Sequence, residues 1–131
     1  MVIRLPSPAQ NKRRGAAFEI DLMNELRSAG LDAERLRLAG RDDEGDLVVR
    51  RTRSIDDPVL DYTVIEAKSG AMHPLQFVRE AEIERANFAR HRGLSLDLVD
   101  GLVVVKAPRQ PIRKAYVLTT LERYFDLEAD R

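Results

Sequence analysis

The sequence predicts an α/β domain in which a mixed central β-sheet is flanked by helices. Three observations lead there. Apolar residues recur at helical spacing over two separate stretches, 15–30 and 74–92. Three short strand-like runs lie between those stretches, and two more follow the second. The resulting order is α-β-β-β-α-β-β-α, in which three strands in meander are followed by a helix that crosses over to a fourth strand.

The 131 residues suffice for a single core. Hydrophobic residues make up 44% and charged residues 34%, the balance of a globular protein rather than a disordered one. No apolar run approaches membrane-spanning length, and Met1-Val2-Ile3-Arg4-Leu5-Pro6 lacks the apolar region of a signal peptide, so a cytoplasmic protein without membrane contact is expected. Without cysteine there is neither a disulfide framework nor a zinc–thiolate site. His73 and His91 are too far apart to suggest a histidine metal site, so any metal would be a hard, oxygen-liganded cation. The 22 basic and 22 acidic residues cancel, which argues against nucleic-acid binding through bulk charge. Locally the balance shifts. Arg4, Lys12, Arg13 and Arg14 in the first 14 residues, and Arg109, Arg113 and Lys114 in 107–114, have no acid among them and can grip phosphates.

Residues 1–14 contain two prolines and no amphipathic period, and read as a flexible basic arm ahead of a single domain over 15–131. From Gly15 to Gly30, Phe18, Leu22, Met23, Leu26 and Ala29 share one helical face. Glu19 falls in the middle of that face. A carboxylate there must be paired, protonated or bound to something; a salt bridge or a wet helix edge would be the plain explanations. Ala33 to Leu38 alternates, with Leu36 and Leu38 opposite Arg35 and Arg37. The loop 39–45, which includes Arg41, Asp42, Asp43 and Glu44, leads into a strand from Asp46 to Arg51. Asp46 opens that strand after a glycine, where a side chain can point from the sheet end into a cleft; Asp is also an ordinary turn residue. Residues 52–60 form the loop of a long hairpin whose return strand, Asp61 to Lys68, ends in Glu66-Ala67-Lys68. Along it Val64, Glu66 and Lys68 share one face, and Ile65 and Ala67 the other.

A second helix is predicted from Pro74 to Arg92, closed by Gly93. Leu75, Phe77, Val78, Ala81, Phe88 and Ala89 form its apolar stripe, and Gln76, Arg79, Glu80, Glu84 and Arg90 a solvated face. Strands over 102–106 and 115–119 flank a basic loop, and Thr120 starts a terminal helix. His73 carries no expected catalytic duty.

The hairpin can bring Asp46 near Glu66, and the first helix can drop Glu19 into the same cleft. Two or three carboxylates with one lysine suit Mg²⁺-dependent phosphodiester hydrolysis. The segments Lys12-Arg13-Arg14-Gly15-Ala16-Ala17-Phe18-Glu19, Gly45-Asp46-Leu47-Val48 and Val64-Ile65-Glu66-Ala67-Lys68 resemble, in their order along the chain, the PD-(D/E)xK nuclease superfamily and, more closely, the archaeal-type Holliday junction resolvases. The resemblance spans most of residues 12–119 and implies a restriction-endonuclease-like core. It further implies a homodimer that nicks four-way DNA junctions symmetrically with Mg²⁺ or Mn²⁺ and uses no nucleotide cofactor. By position, Asp46 and Glu66 would be metal ligands, Glu19 a further one, the Ala67 carbonyl another, and Lys68 the catalytic lysine. Asp43 is a rival to Asp46. Lys12, Arg13, Arg14, Arg41, Arg109, Arg113 and Lys114 would contact DNA. A repair, replication or restriction nuclease of the same superfamily, or a non-catalytic DNA-binding protein on this fold, are the alternatives.

Overall fold

The computed structural model describes residues 8–36 and 43–127, with the side chains of 8–14 left aside. Helix α1 spans Pro8–Ser28, followed by strands β1 (Asp32–Arg35), β2 (Leu47–Thr52) and β3 (Leu60–Lys68). Helix α2 (Pro74–Arg92) leads through a 3₁₀ turn at Leu96–Leu98 to β4 (Val99–Val105), and a second 3₁₀ turn precedes β5 (Tyr116–Leu118) and α3 (Leu121–Tyr124). The five strands lie in sequence order. β3 and β4 are parallel, as the α2 crossover requires, and the other neighbours are antiparallel.

The alternation expected of β3 sorts its residues to two faces. Ile65 joins Phe18, Leu22, Leu47, Val49 and Val104 under α1, with Ala67 packed against them. Val64 joins Val48, Phe88, Ala89 and Val99 under α2, where Phe77 and Ala81 also cover Val103 and Val105. Glu66 and Lys68 therefore point toward α2. Gly101 lets that helix approach, since a Cβ there would stand 2.9 Å from the Ala81 carbonyl oxygen and 3.0 Å from Arg85 Cβ.

The basic arm expected over 1–14 is corrected in part. α1 already begins at Pro8, because proline suits the first helical position and Ala9, Gln10, Lys12, Arg13 and Arg14 are good helix formers. Residues 1–7 lie outside the described residues. Helix α2 starts and stops where expected, with Pro74 in its first turn and Gly93 left-handed at its end. Its faces do not follow expectation. Leu75 is exposed, whereas Glu84 is only 4% exposed.

Candidate active site

Glu66 and Lys68 stand two residues apart on one face of β3, at the end of the sheet where parallel β3 and β4 both terminate. In such sheets the carboxyl ends of the strands border the functional crevice. Lys68 Nζ lies 3.3 Å from Glu66 Oε1 and 2.7 Å from Glu80 Oε2 on α2, and 5.1 Å from the centre of the Phe77 ring. Burial lowers the ammonium pKa, but the hydrogen bonds and charge of Glu80 and Glu66 outweigh it and hold Lys68 above its ordinary value.

The segment 43–46 brings two more carboxylates to this end. Gly45 has φ +103°, and a Cβ there would collide with Val64 Cγ1 at 2.6 Å, so the chain can turn against β3 only with glycine. The turn is anchored on both sides. Asp46 N donates to the Ile65 carbonyl at 2.9 Å, and Asp46 Oδ2 accepts the Ala67 N–H at 2.8 Å. From α2, Asn87 Nδ2 donates to the Asp43 carbonyl at 2.7 Å, while His91 and Arg92 hold the Glu44 carboxylate. Burial, and then the adjacent Glu66 carboxylate, push Asp46 up to about 8; Glu19 adds to the rise and the Ala67 N–H opposes it.

Glu84 completes the cluster from α2. Carboxylate oxygens of Asp43, Glu66 and Glu84 lie within 4.8 Å of one another. Oε2 of Glu66 and Oε2 of Glu84 are buried without a hydrogen-bond partner among the described residues. Burial first, then Glu66, Asp43 and Asp46, push Glu84 up to about 10. Buried like charges at this separation are tolerated only with protons or a cation between them. Oxygen donors alone, two of them otherwise unsatisfied, fit a hard divalent cation such as Mg²⁺ or Mn²⁺.

The remaining expected residues fall in three groups. Glu19 shares a cleft of about 880 Å³ with Gly15, Arg35, Asp43, Gly45 and Asp46, but its carboxylate is paired to Arg35 Nη2 at 2.8 Å. Ala67 sits between Glu66 and Lys68, its side chain against the α1 core. Arg109 and Lys114 are exposed in the segment after β4, which leaves the sheet beside Lys68; there Lys106 N donates to the Lys68 carbonyl at 2.8 Å. Arg113 is exposed there too and is paired to Glu25 of α1. Lys12, Arg13 and Arg14 lie on the first turns of α1, their side chains outside the described residues, as is Arg41 altogether. Glu84 is the residue that pattern reading assigned to the solvated face. Phe77, Ala81, Glu84 and Phe88 follow the spacing of one buried helical stripe, the same signal that singled out Glu19.

A mixed sheet between two helices, with Glu-x-Lys on a central strand and an Asp at the start of its neighbour, gives the chain a PD-(D/E)xK-like α/β fold. Among solved structures the chain is similar to Hjc of Archaeoglobus fulgidus, a Holliday junction resolvase from an archaeal hyperthermophile. The identity is 27% over 80% of this chain and 71% of that one, with a TM-score of 0.48. No family model and no curated protein sequence matches the chain. No helix among the described residues is long and apolar enough to cross a membrane.

Proposed function

We propose that the chain is a divalent-metal-dependent, structure-selective DNA endonuclease that resolves four-way junctions by paired nicks, working as a homodimer. The observation that carries this reading is the cluster itself: Asp43, Glu66 and Glu84 within 4.8 Å, with Asp46 beside them and Lys68 at 3.3 Å from Glu66. Asp46 and Glu66 would hold the metal, with Glu19 reaching it by way of the shared cleft and the Ala67 carbonyl as a backbone ligand. A bound Mg²⁺ or Mn²⁺ would supply an activated water and neutralise charge on the phosphate. Lys68, held above its ordinary pKa, stays charged near neutral pH, which suits it to stabilise phosphate charge rather than to remove a proton. The basic first turns of α1 and the segment carrying Arg109, Arg113 and Lys114 would hold the DNA backbone. The choice of a branched substrate rests on the order of the three motifs and on the absence of any added recognition segment between them.

Purified protein incubated with a synthetic four-way junction and a matching linear duplex, with and without Mg²⁺, tests the reading. Metal-dependent cutting of the junction alone is expected. Equal cutting of both substrates would reduce the function to a general superfamily nuclease, and no cutting of either would remove the enzyme.

A further inference from the structure

Among the described residues four carboxylates, Asp43, Asp46, Glu66 and Glu84, meet at the end of β3, more than Lys68 can balance, because its ammonium is divided between Glu66 and Glu80. Two of them are nine-tenths buried or more. Glu84 is 4% exposed and Glu66 9%, and the Oε2 atom of each has no hydrogen-bond partner among the described residues. A buried carboxylate oxygen without a donor is costly, and two facing one another are more so. The third member, Asp43, is exposed, so the group is open to solvent on its side. Its Oδ1 already accepts the Gly45 N–H at 2.9 Å, and Asn87, from the turn of α2 that follows Glu84, fixes its carbonyl. The helix thus supplies Glu84 and also holds the segment that supplies Asp43.

We infer that Asp43, Glu66 and Glu84 form a divalent-cation site of their own, with Glu84 of α2 as a direct ligand. Asp46 is a neighbour of this site rather than a member, since the carboxylate oxygens that lie within 4.8 Å of one another are those of Asp43, Glu66 and Glu84. Glu66 is common to this site and to the pairing with Lys68, so an ion held here sits next to the catalytic lysine. The competing account of the same geometry is a purely structural carboxyl pair, Glu66 and Glu84 sharing a proton beneath the surface. The two differ in what happens when metal is offered without DNA. The inference concerns a second set of ligands within the site on which the nuclease reading rests, but it does not require that reading.

The test is Mn²⁺ titrated into metal-free protein in the absence of DNA, with free Mn²⁺ followed by its electron paramagnetic resonance signal. Wild-type protein, Glu84→Gln and Asp43→Asn are compared, together with the rise in melting temperature that Mn²⁺ causes in each. Both substitutions are expected to weaken Mn²⁺ binding by at least about tenfold, the scale on which even an outer partner of a ligand acts. The metal-free Glu84→Gln protein should melt no lower than wild type, since a buried acid has been removed. Wild-type Mn²⁺ affinity in either variant overturns the site and leaves the shared-proton pair. Should Glu84→Gln fail to fold, Asp43→Asn decides, because its side chain is exposed and its Oδ1 is retained. A chain that binds Mn²⁺ through Glu84 yet cuts no DNA keeps this inference and ends the nuclease reading. Metal-dependent cutting with Mn²⁺ affinity indifferent to Glu84 does the reverse.

Discussion

Lys68 of β3 and Glu80 of α2 form an ion pair of 2.7 Å across the junction between sheet and helix. Gln76, one turn earlier on α2, steadies the other Glu80 oxygen at 3.0 Å. The lysine is thus aimed by a helix as well as by Glu66 of its own strand. Replacing Glu80 by Gln removes the charge that aims it but little else, since a pair this accessible contributes at most about 1 kcal/mol to stability. On the proposed function, junction cleavage should slow by about ten- to a hundredfold, as small misplacements of a catalytic group do. The melting temperature should barely move. A wild-type rate in Glu80→Gln would show that Lys68 does not depend on this partner.

Asp46 and Glu66 are the two carboxylates that both the motif and the β2–β3 pairing bring to the sheet end. Asp46→Asn retains an oxygen for the Ala67 N–H, and Glu66→Gln retains the shape of the side chain. Each is expected to reduce metal-dependent cutting by about a hundred- to a thousandfold, the range over which positioned electrostatic groups act. Junction binding, measured by gel retardation without metal, should persist or strengthen because negative charge near the phosphates is lost. Cutting at the wild-type rate by either variant would remove that residue from the site.

Stability should fall with rising pH when metal is absent. Asp46 is raised to about 8 and Glu84 to about 10, so both stay protonated in the folded chain while they ionise in the unfolded one. Between the ordinary carboxylate range and those values the folded state binds more protons, and the slope of unfolding free energy against pH is negative. Their contribution is intact at acid pH and is lost as pH passes through about 8 and then toward 10. Denaturant midpoints taken in chelator at increasing pH should therefore decline. Mg²⁺ should flatten the decline, since a cation replaces the protons it releases. A chelated protein that grows more stable with pH over this window would contradict the burial of both groups.

Much of this was legible in the chain, and the failures have physical causes. The bounds of α2 were readable because Pro74 and Gly93 are strong local signals. The faces of β3 were readable because strand alternation has only two outcomes. The start of α1 was not, because two prolines and a basic run look like an arm until one of the prolines takes the first helical position. The polarity of Glu84 points to solvent, whereas its position on the Phe77–Phe88 stripe buries it. Its burial is a consequence of tertiary packing: α2 lies close over β4 at Gly101, and the 43–46 turn closes over the helix. Asp43 was legible only as a rival to Asp46, since a run of acids in a loop does not reveal which one the turn directs inward.

The turn makes its own prediction. Gly45→Ala combines a positive φ of +103° with a Cβ placed 2.6 Å from Val64 Cγ1, and Val64 is 1% exposed and has no room to yield. Strain of this kind and overpacking of a core each cost about 1–3 kcal/mol. The same segment carries Asp43 and Asp46, so any relief of the clash displaces carboxylates from the cluster. Gly45→Ala should therefore lower the melting temperature and weaken Mn²⁺ binding together. Gly15→Ala is the matched control. It lies within α1 with nothing among the described residues within 4 Å of the added methyl, and it should stabilise the protein by about 0.5–1 kcal/mol while leaving Mn²⁺ binding unchanged. Equal and small effects of the two substitutions would mean that the 43–46 turn is not held against Val64, and that the cluster is assembled more loosely than its geometry implies.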